Sequence, residues 1–100
     1  MIRMLELCVL VPRNPEWDAR ERTVLRAAVE AAKMIGAERI LSRRCDVYAI
    51  GVYLKDNASK RLVYIDFDRS WSSDRIRDHI VSSVPRKSMK GCVGGLQLVF

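Results

Sequence analysis

Asp66 and Asp68, separated by Phe67, would project from the same side of an extended strand, and Asp46 would lie near them across a hairpin. Oxygen ligands so grouped suit a hard divalent ion such as magnesium, the metal a phosphoryl-transferring nuclease would use. The same pattern at a strand end also serves as a turn or helix entry, and Arg69 and Arg75 follow closely enough to neutralise it. Arg43-Arg44 and the stretch Arg86-Lys87-Ser88-Met89-Lys90-Gly91 point to different chemistry, because guanidinium and ammonium groups donate hydrogen bonds to phosphate oxygens. The second stretch lacks the strand, loop and helix setting of a phosphate loop and reads as a basic connection or phosphate clamp. Ser72 and Ser73 read as helix caps, since no base lies near them in sequence.

His79 is the single histidine, which excludes chemistry needing two, and it reads as a helix residue near solvent. Cys8, Cys45 and Cys92 are odd in number and lack a CxxC spacing, so neither a disulfide framework nor a zinc site is indicated. No cofactor and no catalytic residue are expected from these patterns.

The formal net charge is +6, which favours a polyanionic partner. Its distribution matters more than its size. Residues 69–100 carry Arg69, Arg75, Arg77, Arg86, Lys87 and Lys90 against Asp74 and Asp78, and residues 13–44 are also basic. Residues 45–68 are slightly acidic. A length of 100 residues fits one domain, expected to span 1–100, and 49% hydrophobic with 30% charged residues is the balance of a folded chain. No apolar run approaches the length of a membrane span, and no secretory signal pattern opens the chain, so a cytoplasmic protein is expected.

These side chains need elements to position them. Leu5, Leu7, Val9 and Val11 alternate with Met4, Glu6, Cys8 and Leu10 as a strand that Pro12 ends. Asn14 caps the following helix, with Pro15 at its first position, and Gly36 stops it. Along it Trp17, Val24, Ala28, Ala31 and Ile35 form an apolar stripe opposite Arg22, Arg26, Glu30 and Lys33, with Glu21 inside the stripe and expected to reach solvent or an arginine. Residues 37–44 read either as an early, bulged part of the next strand or as the close of the helix connection.

Residues 45–68 read as a hairpin in which Lys55 pairs with Lys60. Continued without interruption, that register sets Val52 against Val63, Ile50 against Ile65 and Tyr48 against Phe67 on the core side. It leaves Tyr53 opposite Leu62, Gly51 opposite Tyr64 and Ala49 opposite Asp66 on the open side. A second helix follows, capped by Ser72 and stapled by Trp71 and Ile76, with Ile76, Ile80 and Val84 buried. Leu96, Leu98 and Phe100 then alternate as a final strand. The order strand, helix, strand, strand, helix, strand predicts an α+β ferredoxin-like (split βαβ) fold, βαββαβ. Its four-stranded antiparallel sheet would carry both helices on one face and have its first and third strands central.

The run Lys60-Arg61-Leu62-Val63-Tyr64-Ile65-Asp66-Phe67 resembles a degenerate form of the longer aromatic motif of RNA-recognition-motif domains. Lys60, Tyr64, Ile65 and Phe67 match that motif. Arg61 replaces its glycine, Leu62 an aromatic and Val63 its small residue, and Cys8 in Leu7-Cys8-Val9 stands where the shorter motif places a stacking aromatic. The resemblance implies single-stranded RNA bound on the open sheet face, with Tyr64 the one stacking position kept.

The residues also carry this expectation without the family. Bases would stack on Tyr64 and Tyr53 while Arg43, Arg44, Arg86, Lys87 and Lys90 neutralise phosphates. The resulting expectation is a small, basic, non-catalytic module for RNA or single-stranded nucleic acid within a larger assembly. The alternative is an interaction module that forms a homodimer, or meets another protein, through the open sheet face. The third reading is a magnesium-dependent nuclease using Asp46, Asp66 and Asp68.

Overall fold

The computed structural model describes residues 4–57, 59–67 and 69–84. Strand β1 (Glu6–Pro12) leads through one turn of 3-10 helix (Pro15–Trp17) into helix α1 (Asp18–Ile35). Strands β2 (Arg39–Cys45), β3 (Gly51–Lys55) and β4 (Lys60–Ile65) follow, and then helix α2 (Ser73–Ser83). The local signals place these ends. Asn14 accepts a hydrogen bond from the Glu16 amide, Ser72 accepts one from the Arg75 amide, and Gly36 ends α1 at φ 78°, a left-handed conformation that glycine adopts without strain.

The sheet order is β2-β1-β3-β4, with β2 parallel to β1, β3 antiparallel to β1, and β4 antiparallel to β3. The fold is therefore α+β with a four-stranded sheet and two helices, but the sheet is mixed and the element order departs from βαββαβ. The departure begins at residues 37–44, most of which join β2. The helix-side positions of β2 hold polar groups satisfied by α1: Ser42 donates to Glu21 and Arg44 pairs with Asp18 and Glu21. Its apolar alternation is accordingly hidden. With β2 on one flank of β1, the hairpin takes the other flank and presents β3, not β4, to β1. Lys60 and Arg61 suit β4 to an edge, where charge discourages further strand pairing. The expected final strand, Leu96–Phe100, lies outside the described residues.

The hairpin begins in the expected register, with Lys55 opposite Lys60, Leu54 opposite Arg61 and Tyr53 opposite Leu62. A bulge then inserts Val63, so that Val52 meets Tyr64 and Gly51 meets Ile65. Each later side chain of β4 consequently changes face. Tyr64 and Asp66, expected on the open side, are buried, while Phe67, expected in the core opposite Tyr48, is exposed together with Tyr48.

Leu7, Val9 and Val11 from β1, with Ile50 and Val52, form the apolar side of the sheet. Val24, Ala27, Ala28 and Ala31 from α1 meet them, as do Ile76 and Ile80 from α2. Four alanines on α1, counting Ala32, leave room for close approach, and the expected stripes of both helices are the buried ones. Burying a valine or isoleucine in this layer contributes about 1.5–3 kcal/mol each before entropy is counted.

Candidate nucleic-acid interface

The face of the sheet turned away from the helices is ordered in rows by strand register. Arg39, Glu6, Lys55 and Lys60 form one row, Leu41, Cys8, Tyr53 and Leu62 the next, and Arg43, Leu10, Gly51 and Ile65 the third. Across these rows stand four cations and one carboxylate, and that carboxylate, Glu6, is partly neutralised by Arg39 Nε at 3.4 Å. Cys8 donates to Glu6 Oε1 at 3.6 Å. Burial, and after it the charge of Glu6, push the Cys8 thiol up, which keeps it protonated and poorly nucleophilic.

Tyr53 lies over Gly51: a Cβ added to the glycine would come within 3.3 Å of the tyrosine ring. Lys60 Nζ sits 5.0 Å from the centroid of the same ring. Beside them Leu10, Tyr48, Gly51, Tyr53, Ile65 and Phe67 help line a cavity of about 430 Å³. Tyr48 is fully exposed and Phe67 is 80% exposed. Two large aromatic rings thus stand in solvent around an apolar hollow.

Behind this face the chemistry is of a different kind. Asp66 has no exposed surface, and Arg20 grips it through two bonds, Nε at 2.9 Å and Nη2 at 2.6 Å. The Tyr64 hydroxyl donates to the same carboxylate, and Arg20 Nη1 reaches the Trp71 carbonyl at 3.1 Å. The hydrogen bond to Asp66 raises the Arg20 guanidinium further above its ordinary pKa, although burial acts the other way. Burial, followed by the hydrogen bond to Asp66, holds the Tyr64 phenol well above the ordinary tyrosine range. Tyr64, Trp71 and His79 contact one another with ring centroids 5.5–5.9 Å apart, and Arg75 stacks 4.1 Å from the Trp71 centroid. A second cavity, of about 370 Å³, is lined by Tyr64, Ile65, Phe67, Trp71 and His79.

The residues singled out by sequence separate accordingly. Tyr53 is on the open face, half-buried, and Arg43 is there and exposed. Tyr64 is not on that face, because the bulge turns it inward. Arg44 is on the helix side, donating to Asp18 and Glu21 at 2.6 Å each and to the Pro12 carbonyl at 2.8 Å, so its donors are already engaged. Strand alternation thus splits the Arg43-Arg44 pair. Arg86, Lys87, Lys90 and Asp68 lie outside the described residues. Asp46 pairs with Arg13 at 3.0 Å and Asp66 with Arg20, so these two carboxylates are held by different arginines rather than brought together. Among the described residues no group of three or more His, Cys, Asp or Glu is placed to share a metal ion.

Sequence reasoning missed Tyr48, Phe67, Arg39, Lys55 and Lys60 as surface features. The available signal was the pair Tyr64 and Asp66, two polar-capable residues spaced to share one face of β4 just as well as Ile65 and Phe67. The choice between the two alternations depended on Arg20, which is 46 residues away from Asp66.

No family model matches the chain, and no curated protein matches it at a significant level. Among the described residues no helix is long and apolar enough to cross a membrane.

Proposed function

We propose that the chain is a non-catalytic module that binds RNA or single-stranded nucleic acid on the open face of its sheet. The observation that carries this reading is the composition of the three paired rows of that face: among the described residues Arg39, Arg43, Lys55 and Lys60 stand there against Glu6, beside the exposed rings of Tyr48 and Phe67 and the half-buried ring of Tyr53. Cations that attract a phosphate backbone and rings that accept unstacked bases are the two parts such recognition needs. The bulge in β4 favours it further, because it takes Asp66 off this face and gives its charge to Arg20.

Fluorescence anisotropy with a labelled single-stranded RNA at 50 and 200 mM salt tests the reading. Each phosphate neutralised contributes about −0.7 to the slope of log affinity against log salt for a single strand, so four contacts give a slope near −3. Replacing Tyr53 and Lys60 together by alanine should weaken binding at least tenfold, on the order of one stacked base and one phosphate contact. Absence of binding at low salt would remove the reading.

A second reading rests on the row Leu41, Cys8, Tyr53 and Leu62, which is apolar from edge to edge and leaves Leu41 and Leu62 exposed. A row of that kind also fits a protein partner, including a second copy of this chain. Light scattering that finds a dimer, dispersed by Leu62→Asp, is the result this second reading expects.

A further inference from the structure

The two cavities beside β4 share the side chains of Ile65 and Phe67. Phe67 therefore stands between them, with the hollow of Tyr48 and Tyr53 on one side and the cluster of Tyr64, Trp71 and His79 on the other. Five of the six aromatic side chains among the described residues, together with His79, line this pair of cavities. Leaving a phenylalanine in solvent forgoes the stabilisation its burial would give, and this ring is not exposed through looseness of its backbone. Its amide donates to the Ile65 carbonyl at 3.1 Å, and the preceding Asp66 amide donates to Ile50 at 2.8 Å. The Asp66 side chain is locked by Arg20 and Tyr64. The buried network thus anchors the backbone that carries the exposed ring, which lowers the cost of presenting it to a ligand.

From this geometry we infer that Phe67 is a wedge between two consecutive unpaired bases, one seated in each cavity, and that the ligand is single-stranded rather than duplex nucleic acid. The inference rests on the proposed nucleic-acid reading and specifies how that site holds its ligand. Charge favours this occupant on both sides of the wedge. Arg43 and Lys60 flank the first cavity. Arg75 over Trp71 flanks the second, and Arg61 lines an adjoining hollow that shares Tyr64, Ile65 and His79 with it. The nearest buried carboxylate, Asp66, is turned inward and neutralised by Arg20. Paired bases of a duplex are stacked on their neighbours and must be unstacked before the ring can enter, a cost that an unpaired strand does not carry, so the site favours the single strand.

The test uses the full chain with Phe67→Ala, Phe67→Leu and Phe67→Trp, all at an exposed position where folding is expected to survive and circular dichroism verifies it. Anisotropy is read with a labelled ten-nucleotide single strand and with the same strand annealed to its complement. The wild-type chain should prefer the single strand at least tenfold. Phe67→Ala and Phe67→Leu should each weaken single-strand binding about tenfold or more, since the stacking of bases on the ring is lost. Phe67→Trp should retain binding, and its added indole fluorescence should be quenched by the oligonucleotide. Equal binding of the duplex, or single-strand binding unchanged in Phe67→Ala, would overturn the wedge while leaving the nucleic-acid reading in place. No binding of either oligonucleotide to the wild type at low salt would overturn both. A concentration-dependent dimer that Phe67→Ala dissociates would assign the ring to a second copy of the chain and overturn the wedge.

Discussion

Arg43 and Arg44 are neighbours on β2, yet they belong to two different regions of the molecule. Arg44 faces the helices, where two carboxylates and a backbone carbonyl engage its donors. Arg43 faces away and has no carboxylate partner among the described residues. The contrast extends over the whole sheet. On the helix side Asp66 meets Arg20, Arg44 meets Asp18 and Glu21, and Arg77 meets Glu30 across the two helices. On the open side three of four cations have no carboxylate partner among the described residues, and Tyr48 and Phe67 project into water. Charges consumed within the fold contribute to stability, whereas charges left over contribute to attraction of a partner. A net charge of +6 is therefore a poor guide to function until it is known which cations are already paired.

Asp66 is where a single substitution should cost the most. Asp66→Ala leaves the Arg20 guanidinium and the Tyr64 hydroxyl without their acceptor in a buried setting, and should lower unfolding stability by about 3–5 kcal/mol in urea titration. A loss below about 1 kcal/mol would show that water or another acceptor replaces the carboxylate.

Tyr64 gives a smaller and pH-dependent effect. Its pKa in the folded chain lies above the value of about 10 it has when unfolded, so between those values the folded state keeps a proton that the unfolded state has released. The associated stability is fully present below about pH 10 and is lost as pH rises beyond it. Urea titrations from pH 8 to 11 should show stability falling more steeply above pH 10 in the wild type than in Tyr64→Phe. At neutral pH the variant should lose about 1 kcal/mol, the contribution of one buried hydrogen bond. Parallel pH profiles for the two chains would mean that the phenol is not held as described.

The arginine pair gives the smallest effect and the sharpest one. Arg44→Ala should lower the unfolding midpoint and leave RNA affinity unchanged. Arg43→Ala should leave the midpoint unchanged and reduce the salt slope of RNA binding by about 0.7, one phosphate contact. Reversal of these two outcomes would mean that the faces have been assigned the wrong way round.

Several features were legible in the chain itself because their signals are local. Asn14 and Ser72 cap helices with their own side chains, Gly36 supplies a left-handed residue, and Val24, Ala28, Ala31, Ile76 and Ile80 repeat at the helical period. The turn between Lys55 and Lys60 was readable for the same reason, and its first three pairs follow from it. Tyr53 reaches the open face by simple alternation, as expected, whereas Arg43 does so only because Arg39–Cys45 forms β2.

What the tertiary structure alone decided lies where two local patterns were equally consistent. Residues 60–67 can bury Ile65 and Phe67 or bury Tyr64 and Asp66, and alternation has no preference until a bulge and a distant partner choose. Arg20 provides that partner from α1, making it less costly to bury a paired carboxylate and to leave a phenylalanine outside. β2 was hidden in the same way, since polar helix-facing residues look like a loop until the carboxylates of α1 stand opposite them. Periodicity sorts residues onto faces along one element, but it carries no information about an ion pair formed between elements many residues apart.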